Sequence, residues 1–290
     1  MTLSIITPTY NRADYLPRCY NSLRNQTSYN FEWIIMDDGS TDDTEAVVSA
    51  FASDLFPIVY VRKPNGGKHT ALNASHPYLR GEYVLILDSD DFLTDTAVQE
   101  VADAWAQYAK DQSIGIVTFL KGTDKEHPVC AAVDYDVPAE ILRYRRIRYM
   151  RTDCCEVIRS KLFKQYPFPE FEGERFLSEC ALWDQVSFTH KCVYRNSVIY
   201  ICEYLEGGLT KSGRALRLRN ANGSMFTSEL RMDRSNFFKD RVKNALLYNC
   251  YADCLGVSLR NRIEKSRAPV LTGICALGGR FLYWYWNSKR

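Results

Sequence analysis

Long apolar runs are missing from this sequence of 290 residues. No stretch of about 18 or more uncharged apolar residues occurs, so the sequence predicts no transmembrane helix. The nearest candidate, 268–286, is interrupted by Arg280 and ends in four aromatic residues. No signal peptide precedes the strand-like run at the start of the chain, and this favours a cytoplasmic protein.

An excess of charge of one sign is also missing. Lys and Arg number 37 against 35 Asp and Glu, which gives a formal net charge of +2. Nucleic-acid binding needs a concentrated excess of Lys and Arg, so nucleic acid is not expected as a partner. The exception is the region from Arg214 onward, where basic residues outnumber acidic ones. We therefore expect a basic C-terminal region on a neutral body.

Metal and redox motifs of cysteine are absent, although ten cysteines are present. No Cys-x-x-Cys pair occurs, so a zinc site is not predicted. The cysteines are scattered along the chain, which is typical of buried, reduced thiols in the cytosol.

Apolar runs alternate with amphipathic segments through the first half of the chain. Short β-rich runs end at turn residues, and segments with apolar residues every three or four positions separate them. This alternation predicts an α/β protein with a mainly parallel sheet that is covered by helices on both faces. We predict strands over 3–7, 31–36, 58–61, 83–87 and 114–119, and helices over 14–26, 41–51, 69–79 and 94–110.

Polar residues collect immediately after these predicted strands. Asp88 and Asp90 follow a fully apolar run, and two carboxylates at this spacing in a turn can face one hard cation. The alternative is a solvated acidic turn that caps the helix beginning near Thr94. Ligands of such sheets bind at the carboxyl ends of the strands, and this favours a binding site.

Two further turns belong to the same predicted edge. Asp38 follows the second strand, where it could accept a hydrogen bond from a base or a sugar, or form an ordinary N-cap turn. Residues 65–68 offer backbone amides and the Lys68 ammonium group, which suit a phosphate, although a simple turn is the alternative. They are not a Walker A loop, because the GxxxxGK[ST] pattern is absent.

Four segments, in this order and spacing, resemble the family-2 glycosyltransferases over residues 1–120. The resemblance implies the GT-A fold, a Rossmann-like sheet that binds a nucleotide-sugar, here with a helical C-terminal extension. It also implies an inverting, metal-dependent glycosyltransferase of the bacterial surface-polysaccharide type. The segments are SIITPTYN at 4–11, IMDDGSTD at 35–42, NGGK at 65–68 with Ala71 and Asn73, and GEYV at 81–84 leading into LDSDD at 87–91.

The resemblance assigns roles to the matched residues. Pro8, Thr9 and Tyr10 would line the nucleotide pocket. Asp38 would contact the base, and Lys68 would lie near the nucleotide or its phosphates. The donors of this family are usually UDP-sugars, so a UDP-sugar is the expected donor.

The same resemblance assigns the metal site. Asp88 and Asp90 form the Asp-x-Asp element around Ser89, with Asp90 the favoured metal ligand and Asp88 the second. The implied cofactor is Mn²⁺ or Mg²⁺, which would neutralise the diphosphate as it leaves.

An inverting transfer also needs a carboxylate that takes the proton from the acceptor hydroxyl. The family usually places this base in a Glu-Asp pair at the start of a helix in the second half. Here the second position is Cys180, a poor base for an alcohol. We predict Glu179 as the base, with Asp184 as the second candidate and Glu174 as a further one. Acidic residues that merely stabilise a helix N-terminus are the alternative.

The implied organisation is a GT-A catalytic domain over 1–205 and a basic, helical extension over 206–290. Within the first, 1–120 would bind the nucleotide-sugar and 121–205 the acceptor, a glycan or a lipid-linked glycan. The aromatic and basic residues of 268–290 are typical of a membrane interface, so peripheral attachment to the inner face of the membrane is a hypothesis. A helix packed against the protein is its alternative.

Two other functions stay open at this point. A nucleotidyltransferase on a related fold would need a Gly-rich, basic signature near the first strand, and the chain has Pro8-Thr9-Tyr10-Asn11 there. A non-catalytic nucleotide-sugar binding protein is the second alternative, because Cys180 replaces the expected acid.

Overall fold

A computed structural model of the chain describes residues 2–129, 154–202, 213–234 and 237–288. The chain divides into two compact units, Met1–Pro167 with Thr189–Tyr204, and Phe168–Phe188 with Leu205–Arg290. The sequence placed 168–188 in the catalytic domain that ends at 205, whereas by packing these residues belong with the C-terminal region. The assignment of functions to the predicted domains remains a prediction.

The first unit is built on one sheet of eight strands among the described residues. The strands are β1 (Leu3–Thr9), β2 (Phe31–Asp37), β3 (Ile58–Arg62), β4 (Tyr83–Ile86), β5 (Phe92–Leu93), β6 (Ile114–Gly122), β7 (Cys155–Arg159) and β8 (Lys191–Ile201). Their order is β3-β2-β1-β4-β7-β6-β8-β5. β1 pairs in parallel with β2 and β4, β2 with β3, and β6 with β8. β7 is antiparallel to both β4 and β6, and β5 is antiparallel to β8.

The predicted α/β architecture is therefore confirmed, with a mixed sheet. Its parallel half comes from the alternating first half of the chain, where β1 and β2 are buried along their whole length. Strands buried on both sides read as continuous apolar runs, which explains why the pattern was visible in the sequence. Trp33 and Trp105 are fully buried in the core, and Tyr83 stacks on Trp105 with ring centroids 4.1 Å apart.

Helices accompany the strands of the first unit. They are α1 (Leu16–Arg24), α2 (Thr44–Ser49), α3 (Lys68–Ala74), α4 (Ala97–Tyr108) and α5 (Ser160–Gln165), with a short 3-10 helix at His76–Tyr78. The long helix predicted over 69–79 is thus divided, because Pro77 cannot donate the backbone hydrogen bond that would continue it. In the second half of this unit, β7 is followed at once by α5.

The second unit is helical in its described residues. Its helices are α6 (Cys180–Ser187), α7 (Gly213–Arg219), α8 (Ala221–Arg234), α9 (Phe238–Cys254), α10 (Leu259–Lys265), α11 (Pro269–Ile274) and α12 (Ala276–Asn287). The predicted helical C-terminal extension is confirmed. Within the described ranges, no helix combines the length and apolarity needed to cross a bilayer.

Helix α12 packs very closely on α9. A Cβ atom added at Gly279 would lie 2.3 Å from the Cβ of Asn249, so this crossing accepts no side chain at position 279. Asn249 is fully buried and donates through its side-chain amide to the carbonyl oxygen of Thr272 in α11, at 3.0 Å. Both C-terminal helices are therefore fixed to α9.

Candidate functional site

The predicted site residues of the first unit lie at one edge of the sheet. β1, β2, β3 and β4 run in the same direction, so their carboxyl ends lie together. β6 and β8 end at this edge too, because β7 reverses direction between β4 and β6. We call this the carboxyl edge, and it is where open α/β sheets bind their ligands.

Asp38 organises the loop that follows β3. One carboxylate oxygen accepts hydrogen bonds from Lys63 Nζ (2.7 Å) and the Gly66 amide (2.9 Å). The other accepts from the Gly67 amide (2.6 Å) and Asn65 Nδ2 (3.2 Å). The side chain is only 5% exposed. The carboxylate thus holds the Gly-Gly turn in place, a role beyond the predicted contact with a base.

The turn after β1 presents one exposed aromatic ring. Pro8 and Thr9 are buried at the end of β1, whereas Tyr10 is 46% exposed. Asn11 follows with φ of 52°, a left-handed conformation that Asn tolerates. Its side-chain oxygen accepts from the Thr41 amide at 2.8 Å, which joins this turn to the one after β2. Of the three residues predicted to line the nucleotide pocket, Tyr10 offers a ligand the largest surface.

Lys68 and Asp88 form an ion pair at the carboxyl edge. Lys68 is the first residue of α3, and its ammonium group contacts Asp88 Oδ1. The two side chains are 33% and 32% exposed. Burial would raise the pKa of Asp88, but Lys68 and Lys121 outweigh it and lower that pKa. The structure therefore brings together two residues that lie twenty positions apart in the sequence.

A buried tyrosine supports the same turn from β8. The Tyr200 hydroxyl accepts from the Asp88 amide at 3.0 Å and donates to Asp91 Oδ2 at 2.7 Å. Lys121 Nζ lies 4.1 Å from the centroid of the Tyr200 ring. Burial and the neighbouring Asp88 raise the pKa of Asp91 to about 6, although Tyr200 lowers it. Tyr200 thus fixes both the backbone and one carboxylate of the acidic turn.

Asp90 supplies the second carboxylate of the acidic turn. Its side chain is 27% exposed, and Arg12 Nη2 lies 3.9 Å from Oδ2. Ser89, between the two aspartates, is buried. Groups of three or more potential His, Cys, Asp or Glu ligands are not found among the described residues. Two carboxylate side chains at a strand end fit a Mg²⁺ or Mn²⁺ ion that takes its other ligands from phosphates and water.

The predicted bases lie in the second unit. Glu179 is the residue immediately before α6 and is partly exposed. Asp184 lies in α6, is 2% exposed and is ion-paired with Arg231 of α8, whose Nε donates to Oδ2 at 2.5 Å. Burial would lower the pKa of Arg231, but Asp184 and Cys180 outweigh it and raise that pKa. Asp184 is thus tied to a structural ion pair.

Glu174 caps helix α8. One of its carboxylate oxygens accepts from the Asn222 amide at 2.7 Å and the other from the Gly223 amide at 2.9 Å. Amides at a helix N-terminus lack partners within the helix, and a carboxylate there is stabilising. The cap joins the 174–178 segment to α8 and explains why 168–188 packs with the second unit.

Sequence reasoning missed three residues of the carboxyl edge, namely Lys63, Lys121 and Tyr200. Lys63 follows β3 and Lys121 lies near the end of β6. Polar residues at the carboxyl ends of strands are candidates for ligand binding, so both could have been predicted. Tyr200 also lies near the end of its strand, but its place at the acidic turn depends on the pairing of β8 with the two-residue strand β5, a contact with residues more than a hundred positions away.

Comparison with known protein families gives a match over more than half of the chain. The model of glycosyl transferase family 2 matches residues 4–166. Chondroitin synthase of Pasteurella multocida is 37% identical over 115 residues, which are 40% of this chain and 12% of that protein. The minor teichoic acid biosynthesis protein GgaB of Bacillus subtilis is 32% identical over 130 residues, 43% of this chain and 14% of that protein. The chain thus spans a small part of the length of these relatives.

Solved structures resemble the chain over its whole length. TarS residues 1–349 of S. aureus, in complex with UDP-GlcNAc, has a TM-score of 0.65 at 18% identity and covers 100% of this chain and 93% of that one. The mannosyltransferase PcManGT of Pyrobaculum calidifontis, in complex with GDP-Man and Mn²⁺, has a TM-score of 0.59 at 16% identity. The match covers 99% of this chain and 83% of that one. At these identities the likeness shows the fold, and the predicted GT-A fold is confirmed.

Proposed function

Because the chain belongs to glycosyl transferase family 2, we propose that it transfers one sugar from a nucleotide-sugar to a hydroxyl group of a glycan or lipid-linked acceptor, with inversion. The observation that carries this proposal is the carboxyl edge, where Asp88 and Asp90 follow β4 and the Lys68 ammonium group contacts Asp88. The two relatives named above, a chondroitin synthase and a teichoic acid biosynthesis protein, support polysaccharide assembly as the setting.

The donor would bind with its diphosphate at the acidic turn. Asp90 and Asp88 would hold Mn²⁺ or Mg²⁺, which supplies Lewis-acid stabilisation of the leaving diphosphate when bound. Lys68 would place a second positive charge beside the phosphates. Tyr10 would pack against the nucleotide, and the loop held by Asp38 would border the base. A UDP-sugar is the first donor to test, since TarS is solved with UDP-GlcNAc.

Glu179 is our proposed general base. It is partly exposed at the start of α6, whereas Asp184 is buried in its ion pair with Arg231 and Glu174 is engaged as the cap of α8. A base needs access to the acceptor hydroxyl whose proton it accepts. The exposure of Glu179 therefore favours it over the buried Asp184, and the contacts of Glu174 with α8 give that carboxylate a structural role.

The first test is donor hydrolysis across a panel of UDP-, GDP- and dTDP-sugars, with Mn²⁺ or with EDTA. The variants are Asp90→Ala and the control Asp54→Ala, which removes an exposed carboxylate before β3. We expect metal-dependent nucleotide release from one donor, lost in Asp90→Ala and kept in Asp54→Ala. Release that persists in EDTA would contradict the metal site. UDP binding without turnover, even with glycan acceptors present, would favour the non-catalytic binding protein.

Peripheral membrane contact is part of this proposal. Five apolar residues recur every three or four positions in α11 and α12 and are strongly exposed, and no Asp or Glu follows Glu264. Exposed aromatic and aliphatic side chains beside cations are typical of membrane-surface helices. The residues are Val270 (75%), Ile274 (75%), Leu277 (81%), Phe281 (65%) and Trp284 (64%). We call them the apolar stripe.

Vesicle sedimentation tests this contact. Binding to anionic vesicles at low salt should be lost in Phe281→Ser/Trp284→Ser and kept in Phe238→Ser, a control with an equally exposed aromatic in α9 (71%). Equal binding by all three proteins would remove the stripe from the proposal. The cytoplasmic location expected from the sequence stays a prediction.

A further inference from the structure

A small cavity lies inside the second unit, between the 176–180 segment and helices α7, α8 and α9. Its volume is about 110 Å³. A single water needs roughly 10–15 Å³ of such space, so the cavity admits a group several times the size of a water molecule. All of its lining residues belong to the second unit, and none is a carboxyl-edge residue.

Two arginines make this cavity basic. Arg217 enters from α7 and Arg231 from α8, and the described lining contains no Asp or Glu. Asp184 balances Arg231 from outside the lining, while Arg217 is exposed and lies near Tyr251. Burial raises the pKa of Tyr251, and Arg217 and Ser224 act against that rise. A negatively charged group is therefore the ligand that this charge favours.

Hydroxyl groups form a second part of the wall. Ser224 donates its proton to the Arg217 carbonyl oxygen of α7 at 3.0 Å, and Thr227 and Ser228 donate to carbonyl oxygens of the preceding turn of α8 at 3.0 and 2.8 Å. A hydroxyl oxygen that has donated its proton in this way presents lone pairs on its other side. The wall can thus accept hydrogen bonds from hydroxyl groups of a ligand, while the arginines donate to its charged group. A sugar or polyol that carries an oxyanion combines both chemistries.

The walls of the cavity are held in place without a ligand. The side-chain oxygen of Asn220 accepts hydrogen bonds from the backbone amides of Arg175 and Phe176 at 3.0 and 3.1 Å. The Glu174 cap fixes the same segment to α8. A Cβ atom at Gly223 would lie 3.1 Å from Leu177 Cδ1, a tight contact that shows how closely the segment packs on α8. Binding would therefore need little reordering of the protein.

The cavity adjoins the proposed base. Ser178 and Cys180 both line it, and Glu179 lies between them in the chain. A ligand anchored on the arginines would hold its neighbouring hydroxyl groups beside this segment.

We propose that this cavity is an acceptor subsite for an oxyanion, either a phosphate ester or a carboxylate, carried on a sugar or polyol. The inference rests on the proposed transferase function and names its acceptor class. Arg217 and Arg231 bind the charged group, and the hydroxyl wall of α8 accepts from the hydroxyls next to it.

Titration calorimetry of the whole chain at low ionic strength tests the proposal. Glucose 6-phosphate, glucuronate and glucose share one ring and differ in their charged group. The variants are Arg217→Gln and its matched control Arg219→Gln, which removes an exposed charge from the same helix outside the lining. We expect wild type to bind at least one of the two anions more tightly than glucose. Arg217→Gln should weaken that binding about tenfold or more, and Arg219→Gln should leave it within about twofold.

The anion that binds more tightly identifies the source of the oxyanion. Binding of glucose as tight as that of both anions, no binding of either anion, or equal losses in the two variants would each overturn the proposal. Donor hydrolysis by the same wild-type preparation reports separately on the transferase. If hydrolysis is absent while Arg217-dependent binding persists, the proposed function fails and the anion site stands.

Discussion

The ammonium group of Lys68 occupies the position of a counter-ion to Asp88, the first carboxylate of the Asp-x-Asp turn. In the absence of a donor, the described residues offer two carboxylates there and no cluster of three ligands. A lysine that neutralises one of them competes with a divalent ion for the same oxygen. Phosphates that arrive with the donor would attract the lysine and release Asp88. Metal binding should therefore depend on nucleotide.

Lys68→Met tests this coupling. We expect Mn²⁺ to bind about three- to tenfold more tightly without nucleotide in the variant, since the partly exposed pair is screened by water. The increase in Mn²⁺ affinity on adding UDP should be correspondingly smaller in the variant than in wild type. Electron paramagnetic resonance of free Mn²⁺ measures both quantities without turnover. Lys161→Met is the control, an exposed lysine at the opposite edge of the sheet. An unchanged Mn²⁺ affinity in Lys68→Met would refute the competition.

Tyr200→Phe should loosen the acidic turn. The change removes the hydroxyl that accepts from the Asp88 amide and donates to the buried Asp91 carboxylate. Loss of a partner for a buried polar group costs about 1–3 kcal/mol, and we expect a fall of that size in the free energy of unfolding. Urea denaturation gives the value. Tyr78→Phe, which removes a hydroxyl from a 37% exposed ring, should change stability by less than about 0.5 kcal/mol.

Glu179→Gln and Asp184→Asn should separate catalysis from stability. If Glu179 is the base, the Glu179→Gln variant should have a kcat about 10²- to 10⁴-fold lower than wild type at an unchanged melting temperature. Asp184→Asn removes the partner of Arg231, and we expect a loss of about 2–3 kcal/mol in stability because Arg231 keeps some solvent contact. Glu172→Gln, an exposed acid of the same segment, is the control for both. A stable Glu179→Gln variant with full activity would exclude Glu179.

His76 should make the protein sensitive to mild acid. Burial, followed by the charge of Lys164, lowers the pKa of His76 below its ordinary value of 6.5, and its ring lies edge-on to Phe163 at 5.1 Å. The unfolded chain then binds the proton first. Stability from the neutral imidazole is complete above pH 6.5 and declines as the pH falls toward the lower, folded value.

His76→Phe removes this titration and keeps an aromatic ring beside Phe163. Urea midpoints measured from pH 8 to pH 5 should fall less in the variant than in wild type. The difference between the urea midpoints of the two proteins at pH 8, where both side chains are uncharged, provides the internal reference. Parallel curves over the whole range would show that His76 does not contribute.

Local patterns predicted the parallel half of the sheet and most of the carboxyl edge. Asp38, Lys68, Asp88 and Asp90 could be grouped because each follows a strand, and parallel strands end together. The family and the GT-A fold are confirmed by the comparisons. The roles of individual site residues stay predictions.

Contacts between distant parts of the chain could not be predicted in this way. The reversal of β7 and the pairing of β8 with β5 depend on partners far away in the sequence, and these pairings place Tyr200 at the acidic turn. The inclusion of 168–188 in the second unit depends on the Glu174 cap and on the Asp184–Arg231 pair. Neither leaves a periodic pattern in the sequence, because each joins residues almost fifty positions apart.

The close crossing at Gly279 determines how the apolar stripe can act. A tail joined by a flexible tether would attach the protein to a surface and leave it free to tumble there. Helix α12 instead meets α9 without an intervening side chain, and Asn249 holds α11 to the same helix. Adsorption through the stripe would therefore select one orientation of the second unit relative to the membrane normal. Polarised reflection measurements on supported bilayers would record that orientation as a fixed tilt of the α9 axis.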